Sequence, residues 1–167
     1  MSVIFILFIT SINLTGCIDE TNNNIEDNGQ NFEITLIDGS KINLIDFRDK
    51  VVIMDLWATW CQPCASQMIE LETLYNSYSR DNLEIISINI DTRETSQDIK
   101  DYIDSAKEYG YNFNWLFGND DGNIWNTYQI NGGIPTLYIF DKKGNIYYSA
   151  ESYHSYSDIA KKIDELM

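Results

Sequence analysis

Asp55-Leu56-Trp57-Ala58-Thr59-Trp60-Cys61-Gln62-Pro63-Cys64 joins two unlike patterns. Before it runs Val51-Val52-Ile53-Met54, apolar and rich in β-branched residues, as a strand buried on both faces would be. After it, Met68, Leu71, Leu74, Tyr75 and Tyr78 recur at helical spacing. A buried strand therefore ends near Leu56, and a helix starts at the cysteines and runs to about Ser79. Two thiols at this spacing on one helical turn are close enough to close a small disulfide ring. The free N–H groups and partial positive charge of a helix N-terminus favour thiolate over thiol. Pro63 has no N–H to lose and suits an early helical position. Cys61, nearer the loop, is the expected attacking thiolate, and Cys64, one turn deeper, the expected resolving thiol.

The segment Trp57 to Cys64 resembles the active-site segment of thioredoxin-fold proteins. It is most similar to the membrane-anchored thiol-disulfide oxidoreductases related to TlpA and ResA. A second match is Gly133-Ile134-Pro135-Thr136, followed by Leu137-Tyr138-Ile139-Phe140-Asp141. In that family the Ile-Pro-Thr step carries a cis-proline facing the disulfide. The resemblance covers roughly Phe32 to Met167. It implies an α/β, thioredoxin-like three-layer sandwich, with a mixed central sheet, an N-terminal β-hairpin and an inserted α/β segment. It implies a thiol-disulfide exchange enzyme with Cys61 and Cys64 as the couple and Pro135 beside a substrate strand. Trp60, Gln62, Pro63 and Ile134 are then substrate-contacting positions. Protein thiols and disulfides of exported proteins, apocytochrome c among them, are the implied substrates, with a membrane or extracytoplasmic redox partner. Gln62-Pro63 does not fix whether the couple reduces or oxidises.

Asp55 lies six residues before Cys61. In thioredoxins a buried acid at this position assists proton transfer to the inner cysteine. A carboxyl among apolar walls has a raised pKa, which suits a proton acceptor for Cys64; the structural alternative is an aspartate bonded to backbone. Two residues depart from the ResA-like pattern. Gln67 stands where a glutamate is common, three residues after the second cysteine, and Ile69 where a proline is common. Gln67 cannot titrate, so the acid's task falls to Asp55. Without the proline a straighter helix is expected. Trp57 is expected in the core and Trp60 exposed near Cys61.

The chain has 167 residues, enough for one domain with a core, and a formal net charge of −15. Such acidity excludes nucleic-acid binding, which needs a basic surface. The cysteines number three, and Cys17 is left over from the pair. Val3 to Ile9 is uniformly apolar, too short to span a bilayer comfortably, and the bias persists to Leu14. It ends in Leu14-Thr15-Gly16-Cys17, which resembles a lipobox, although no Lys or Arg precedes the apolar run. Residues 1–17 are read as a lipoprotein-type signal with Cys17 lipidated, and 18–31, polar and without period, as a flexible tether. Residues 32–167 form the domain. A monomer anchored outside the cytoplasm is expected, where disulfide chemistry is at home.

Within the domain, Phe32 to Leu36 and Lys41 to Leu44 are expected to pair as a hairpin around Asp38-Gly39. Leu83 to Ile90 is the next strand, parallel to the first buried one. Thr95 to Asp98 opens a helix with Ile99, Tyr102, Ile103 and Ala106 inward, closed by Gly110. Phe113 to Phe117 reads as a strand, Gly122 to Tyr128 as a short helix, and Thr136 to Phe140 and Asn145 to Ser149 as a hairpin. Ser157 is expected to cap a last helix facing inward through Ile159, Ala160, Ile163, Leu166 and Met167. A zinc site has no second cysteine pair, and His154, the single histidine, sits in a polar loop as a surface residue. No metal or cofactor is expected. A copper(I) metallochaperone using the same two thiolates is the alternative, since copper(I) needs only two sulfurs. A structural disulfide and a peroxidase fit less well; the latter expects its cysteine in a Pro/Thr-rich loop.

Overall fold

The computed structural model describes residues 31–167. Cys17, the signal segment and the tether up to residue 30 lie outside the described residues. The domain's contacts already include Asn31, whose Oδ1 accepts the Ile45 N–H at 3.0 Å.

A strand buried on both faces must be flanked by strands and covered by two layers, and β3 (Val51–Trp57) is so placed, with all seven residues buried. It pairs in parallel with β4 (Leu83–Asn89) and antiparallel with β6 (Thr136–Phe140). Beyond β4 lie β5 (Leu116–Asn119), β1 (Glu33–Leu36) and β2 (Lys41–Asn43); beyond β6 lies β7 (Ile146–Glu151). The mixed sheet has the order β2-β1-β5-β4-β3-β6-β7. The insertion is α2 (Ser96–Glu108) with β5, a parallel crossover that carries the sheet out to the N-terminal hairpin.

Alternation along β3 divides the core. Val51, Ile53 and Trp57 pack with α1 (Gln62–Ser77), α2 and α4 (Tyr156–Asp164), through Met68, Leu71, Leu74, Ile99, Ile103, Ile159 and Ile163. Val52, Met54 and Leu56 face the other way, against α3 (Asn123–Tyr128) and a 3₁₀ turn at Leu44–Phe47. Among the described residues no helix is long and apolar enough to cross a membrane.

Boundaries moved where a pattern fixes a face but not a partner. Tyr111, Phe113, Trp115 and Phe117 do line one face, with successive ring centroids 5.9, 5.2 and 5.3 Å apart. Only from Leu116 does the backbone reach register with β4, so the strand is Leu116–Asn119 rather than 113–117. The last helix is capped by Ser155, not Ser157: Ser155 Oγ and the Asp158 carboxylate each take the other's backbone N–H, a reciprocal box that Ser157 has no acid to complete. Met167 lies beyond α4 and is exposed, against the inward placement expected. Thr95 and Asp98 form the expected box on α2, and α1 stops at Ser77, two residues short of the expected end.

Gly118 marks a close approach of neighbouring strands, opposite Leu36 on one side and Ile88 on the other. A Cβ there would lie 2.8 Å from Ile34 Cγ1 and 2.9 Å from the Thr35 carbonyl oxygen. Gly118→Ala should therefore lower stability by about 1–3 kcal/mol through overpacking, seen as a lower urea midpoint at unchanged slope. An unaltered midpoint would mean that β1 shifts freely against β5.

Candidate active site

Cys61 is the residue before the first helical residue of α1, in extended conformation, and its sulfur fills the capping role: Cys64 N–H donates to Cys61 Sγ at 3.2 Å. The two sulfurs are joined in a disulfide with Cα atoms 5.2 Å apart. Gln62, Pro63 and Cys64 are the first three helical positions, so Pro63 removes an N–H that has no intrahelical acceptor. No acid lies in that first turn, and the helix end keeps its positive partial charge. Cys61 is 6 % exposed and Cys64 fully buried. Of the two cysteines, only Cys61 keeps any exposed surface.

The structure brings Ile134 and Pro135 to this pair. The Ile134–Pro135 peptide is cis, and the Ile134 carbonyl oxygen lies 3.8 Å from Cys61 Sγ. Gln62 and Pro63 are exposed on the same end of α1. Gln62 also lines a cleft of about 460 Å³ with Tyr102, Tyr109, Tyr111 and Phe113. Trp60 is 61 % exposed, as expected, and Trp57 fully buried.

The loop before Cys61 is held by residues that sequence reasoning missed. Trp60 Nε1 donates to Asp91 Oδ2 at 2.8 Å. Arg93 grips the same carboxylate with two nitrogens at 2.8 and 2.6 Å, and these bonds, then that of Trp60, hold its pKa well below the carboxylate range. Thr59 donates its N–H, at 3.1 Å, and its hydroxyl to the Glu94 carboxylate. Position carried a signal: Asp91 and Glu94 follow β4, and loops at the carboxyl ends of adjacent parallel strands lie together.

Asp55 shares the face of β3 that packs on Cys64, and it is fully buried. Its Oδ2 accepts from Ser87 Oγ at 3.0 Å, and Ser87 Oγ in turn accepts from Trp115 Nε1 at 2.9 Å. Among the described residues Oδ1 has no hydrogen-bond partner. Burial pushes the carboxyl up to about 7, against the opposing pull of the Ser87 bond. Gln67 is also fully buried, and its amide bonds both backbone groups of His154, Oε1 accepting at 2.8 Å and Nε2 donating at 3.1 Å. His154, expected as a surface residue, is half-buried, and its backbone is tied to α1.

A disulfide-linked cysteine pair at the start of a helix, after a central strand of a mixed sheet and facing a cis-proline, defines a thioredoxin-like protein. The chain belongs to the AhpC/TSA family, whose model matches residues 25–149. It is 34% identical over 116 residues to the thiol-disulfide oxidoreductase ResA of Bacillus thuringiensis subsp. konkukian, an alignment spanning 70% of this chain and 63% of that protein. The match thus spans a little under two thirds of that relative's length. The crystal structure of StoA from Bacillus subtilis superposes with a TM-score of 0.65 at 22% identity, covering 79% of this chain and 95% of that one. The exposed lipoprotein thioredoxin Etrx1 from Streptococcus pneumoniae superposes with a TM-score of 0.66 at 20% identity, covering 81% and 99%.

The state of Asp55 makes stability depend on pH. Its carboxyl ionises near 3.8 in an unfolded chain and near 7 in the folded one. Between those values the folded state holds the extra proton, so this contribution falls as pH rises and levels off above about pH 7. Asp55→Asn removes it. The stability of Asp55→Asn relative to wild type should rise between pH 5 and pH 8 by about 1–3 kcal/mol; the cost of setting the new amide against an apolar wall is the same at both pH values and cancels from this difference. Urea unfolding of the oxidised proteins at both pH values measures this; a constant difference would mean that Asp55 stays ionised in the fold.

Proposed function

We propose that this chain is an extracytoplasmic thiol-disulfide oxidoreductase that exchanges disulfides with exported proteins and is held at the membrane by a lipid on Cys17. The observation that carries the reading is the Cys61–Cys64 pair at the start of α1, with Cys61 the more exposed of the two and a backbone carbonyl 3.8 Å from its sulfur. The ResA relative, named for this activity, supports it. For the anchor, the support is Leu14-Thr15-Gly16-Cys17, together with the description of one structural neighbour as an exposed lipoprotein.

In the reduced protein, the Cys61 thiolate is favoured by the Cys64 N–H and the helix end. It attacks one sulfur of a substrate disulfide, and the other leaves as a thiolate. The substrate chain lies along Ile134 and Pro135, pairing with main chain beside Cys61. Cys64 then loses its proton, and its thiolate attacks Cys61 Sγ. The second substrate sulfur leaves, and the Cys61–Cys64 disulfide closes. Two electrons have passed from protein to substrate; the same steps reversed oxidise a dithiol. Asp55 accepts the Cys64 proton. A carboxyl ionising near 7 is matched to that task at neutral pH. The potential of the couple, measured against a glutathione buffer, sets the direction.

Cys64→Ala should accumulate mixed disulfides with substrate proteins, visible on non-reducing gels, and Cys61→Ala should not. In stopped-flow exchange, Asp55→Asn should slow resolution by about 10- to 100-fold while leaving the first attack unchanged. Equal trapping by both cysteine variants would remove the assignment of attacker and resolver, and an unchanged resolution rate would return Asp55 to a structural role. The anchor is tested separately. Cys17→Ser should move the protein from the membrane fraction to the soluble one; wild-type protein that is already soluble would sink the lipid anchor.

A further inference from the structure

Glu151, the last residue of β7, grips the loop that leads into Ile134. Its Oε2 accepts the backbone N–H of Asn131 at 2.8 Å and of Gly133 at 3.1 Å. A Cβ on Gly133 would overlap that carboxylate, so glycine is what lets it close in. Thr136 Oγ1 donates to the Gly133 carbonyl at 2.7 Å, and Ser152 N–H donates to the Pro135 carbonyl at 2.9 Å.

Immediately after Glu151 the chain crosses to α1. His154 is held through its backbone by the buried Gln67 amide, at 2.8 and 3.1 Å. Three residues along α1, Glu70 accepts the Tyr153 hydroxyl and the Tyr156 N–H, both at 2.8 Å. The His154 ring completes the connector. The Ser152 carbonyl can only accept, so Nδ1 carries the hydrogen and donates to it at 2.8 Å. In the neutral ring Nε2 then accepts the Tyr148 hydroxyl at 3.1 Å. Residues 151–156 are therefore bonded at one end to the Ile134 loop and at the other to the helix that carries both cysteines.

We propose that this connector is a clamp that sets the spacing between Cys61 and the Ile134 backbone, with Glu151 and Gln67 as positioning residues for a substrate polypeptide. The inference rests on the exchange activity proposed above. An extended chain paired along Ile134 presents its sulfur to Cys61 only while the loop and α1 hold their spacing. The two ends of the connector act in series, so loosening either end, Glu151 at the loop or Gln67 beside Glu70 on α1, loosens the spacing. A small disulfide needs the Cys61 sulfur alone and does not sense the clamp.

The test uses the reduced full chain with two probes: a synthetic extended peptide closed by one internal disulfide, and hydroxyethyl disulfide. In single-turnover exchange, Glu151→Ala and Gln67→Ala should each raise the half-saturating peptide concentration by about tenfold, short of the 10²-fold of a full misplacement, at a little-changed limiting rate. The rate with hydroxyethyl disulfide should stay within about twofold of wild type. Glu151→Gln keeps an oxygen acceptor for both N–H groups and should restore most of the loss. The double variant should be no worse than the poorer single one, because a series clamp breaks only once. Losses that multiply, losses equal for both probes, or no loss at all would overturn the clamp. If wild-type protein exchanges with neither probe, the oxidoreductase reading fails and the clamp with it; that outcome is seen before any variant is made.

Discussion

Cys61 Sγ takes the place at the start of α1 that a serine or aspartate oxygen ordinarily fills. The Cys64 N–H it accepts is one of the donors every helix leaves unpaired at its first turn. The same contact that begins the helix therefore stabilises negative charge on the reacting sulfur. This works only if the helix start is held still, and the rest of the structure is arranged to hold it. Upstream, β3 is buried along its whole length and ends at Trp57, four residues before the cysteine. Downstream, Met68, Leu71 and Leu74 lock the inner face of α1 into the sheet. Between them the turn is short, and Thr59 and Trp60 are tied to Glu94 and Asp91.

Burial sets the chemistry of the second sulfur as well. Cys64 and Asp55 share a layer from which water is excluded, and a carboxyl there is costly to ionise. Ser87, itself held by the Trp115 indole, supplies one hydrogen bond to it, which opposes the rise in pKa without cancelling it. Asp91 shows the contrast. Arg93 and the Trp60 indole surround its carboxylate, and its pKa falls instead. Two aspartates on β3 and just after β4 thus have opposite tendencies, set by whether cationic and N–H donors or apolar walls face them.

Sequence by itself determined the centre of the protein. The change from a β-branched run to helical spacing at Cys61 placed β3, α1 and the couple. The parallel partner β4, the capped helix α2 and the turn-linked pairs of strands at each end were legible for the same reason: each is a local pattern with one period. Asp55 was legible as a buried acid because four apolar residues precede it. The Ile134-Pro135 step was found by resemblance, and the structure puts its carbonyl beside Cys61.

Tertiary structure alone decided how that centre is held. Gln67 read as the loss of a titrating acid, and its amide is in fact the tie between α1 and the backbone of His154. Glu151 sits at a strand end with no motif, yet it bonds two N–H groups 18 and 20 residues earlier in the chain. Asp91 and Glu94 reach back more than 30 residues to Trp60 and Thr59. The start of β5 and the cap of α4 were likewise settled by partners elsewhere, β4 in one case and a reciprocal acid in the other. The physical reason is common to all of these. Periodicity reports which face of an element is apolar, because burial acts on every residue of that face. A single hydrogen bond between distant residues leaves no period, and only the folded chain brings its two ends together.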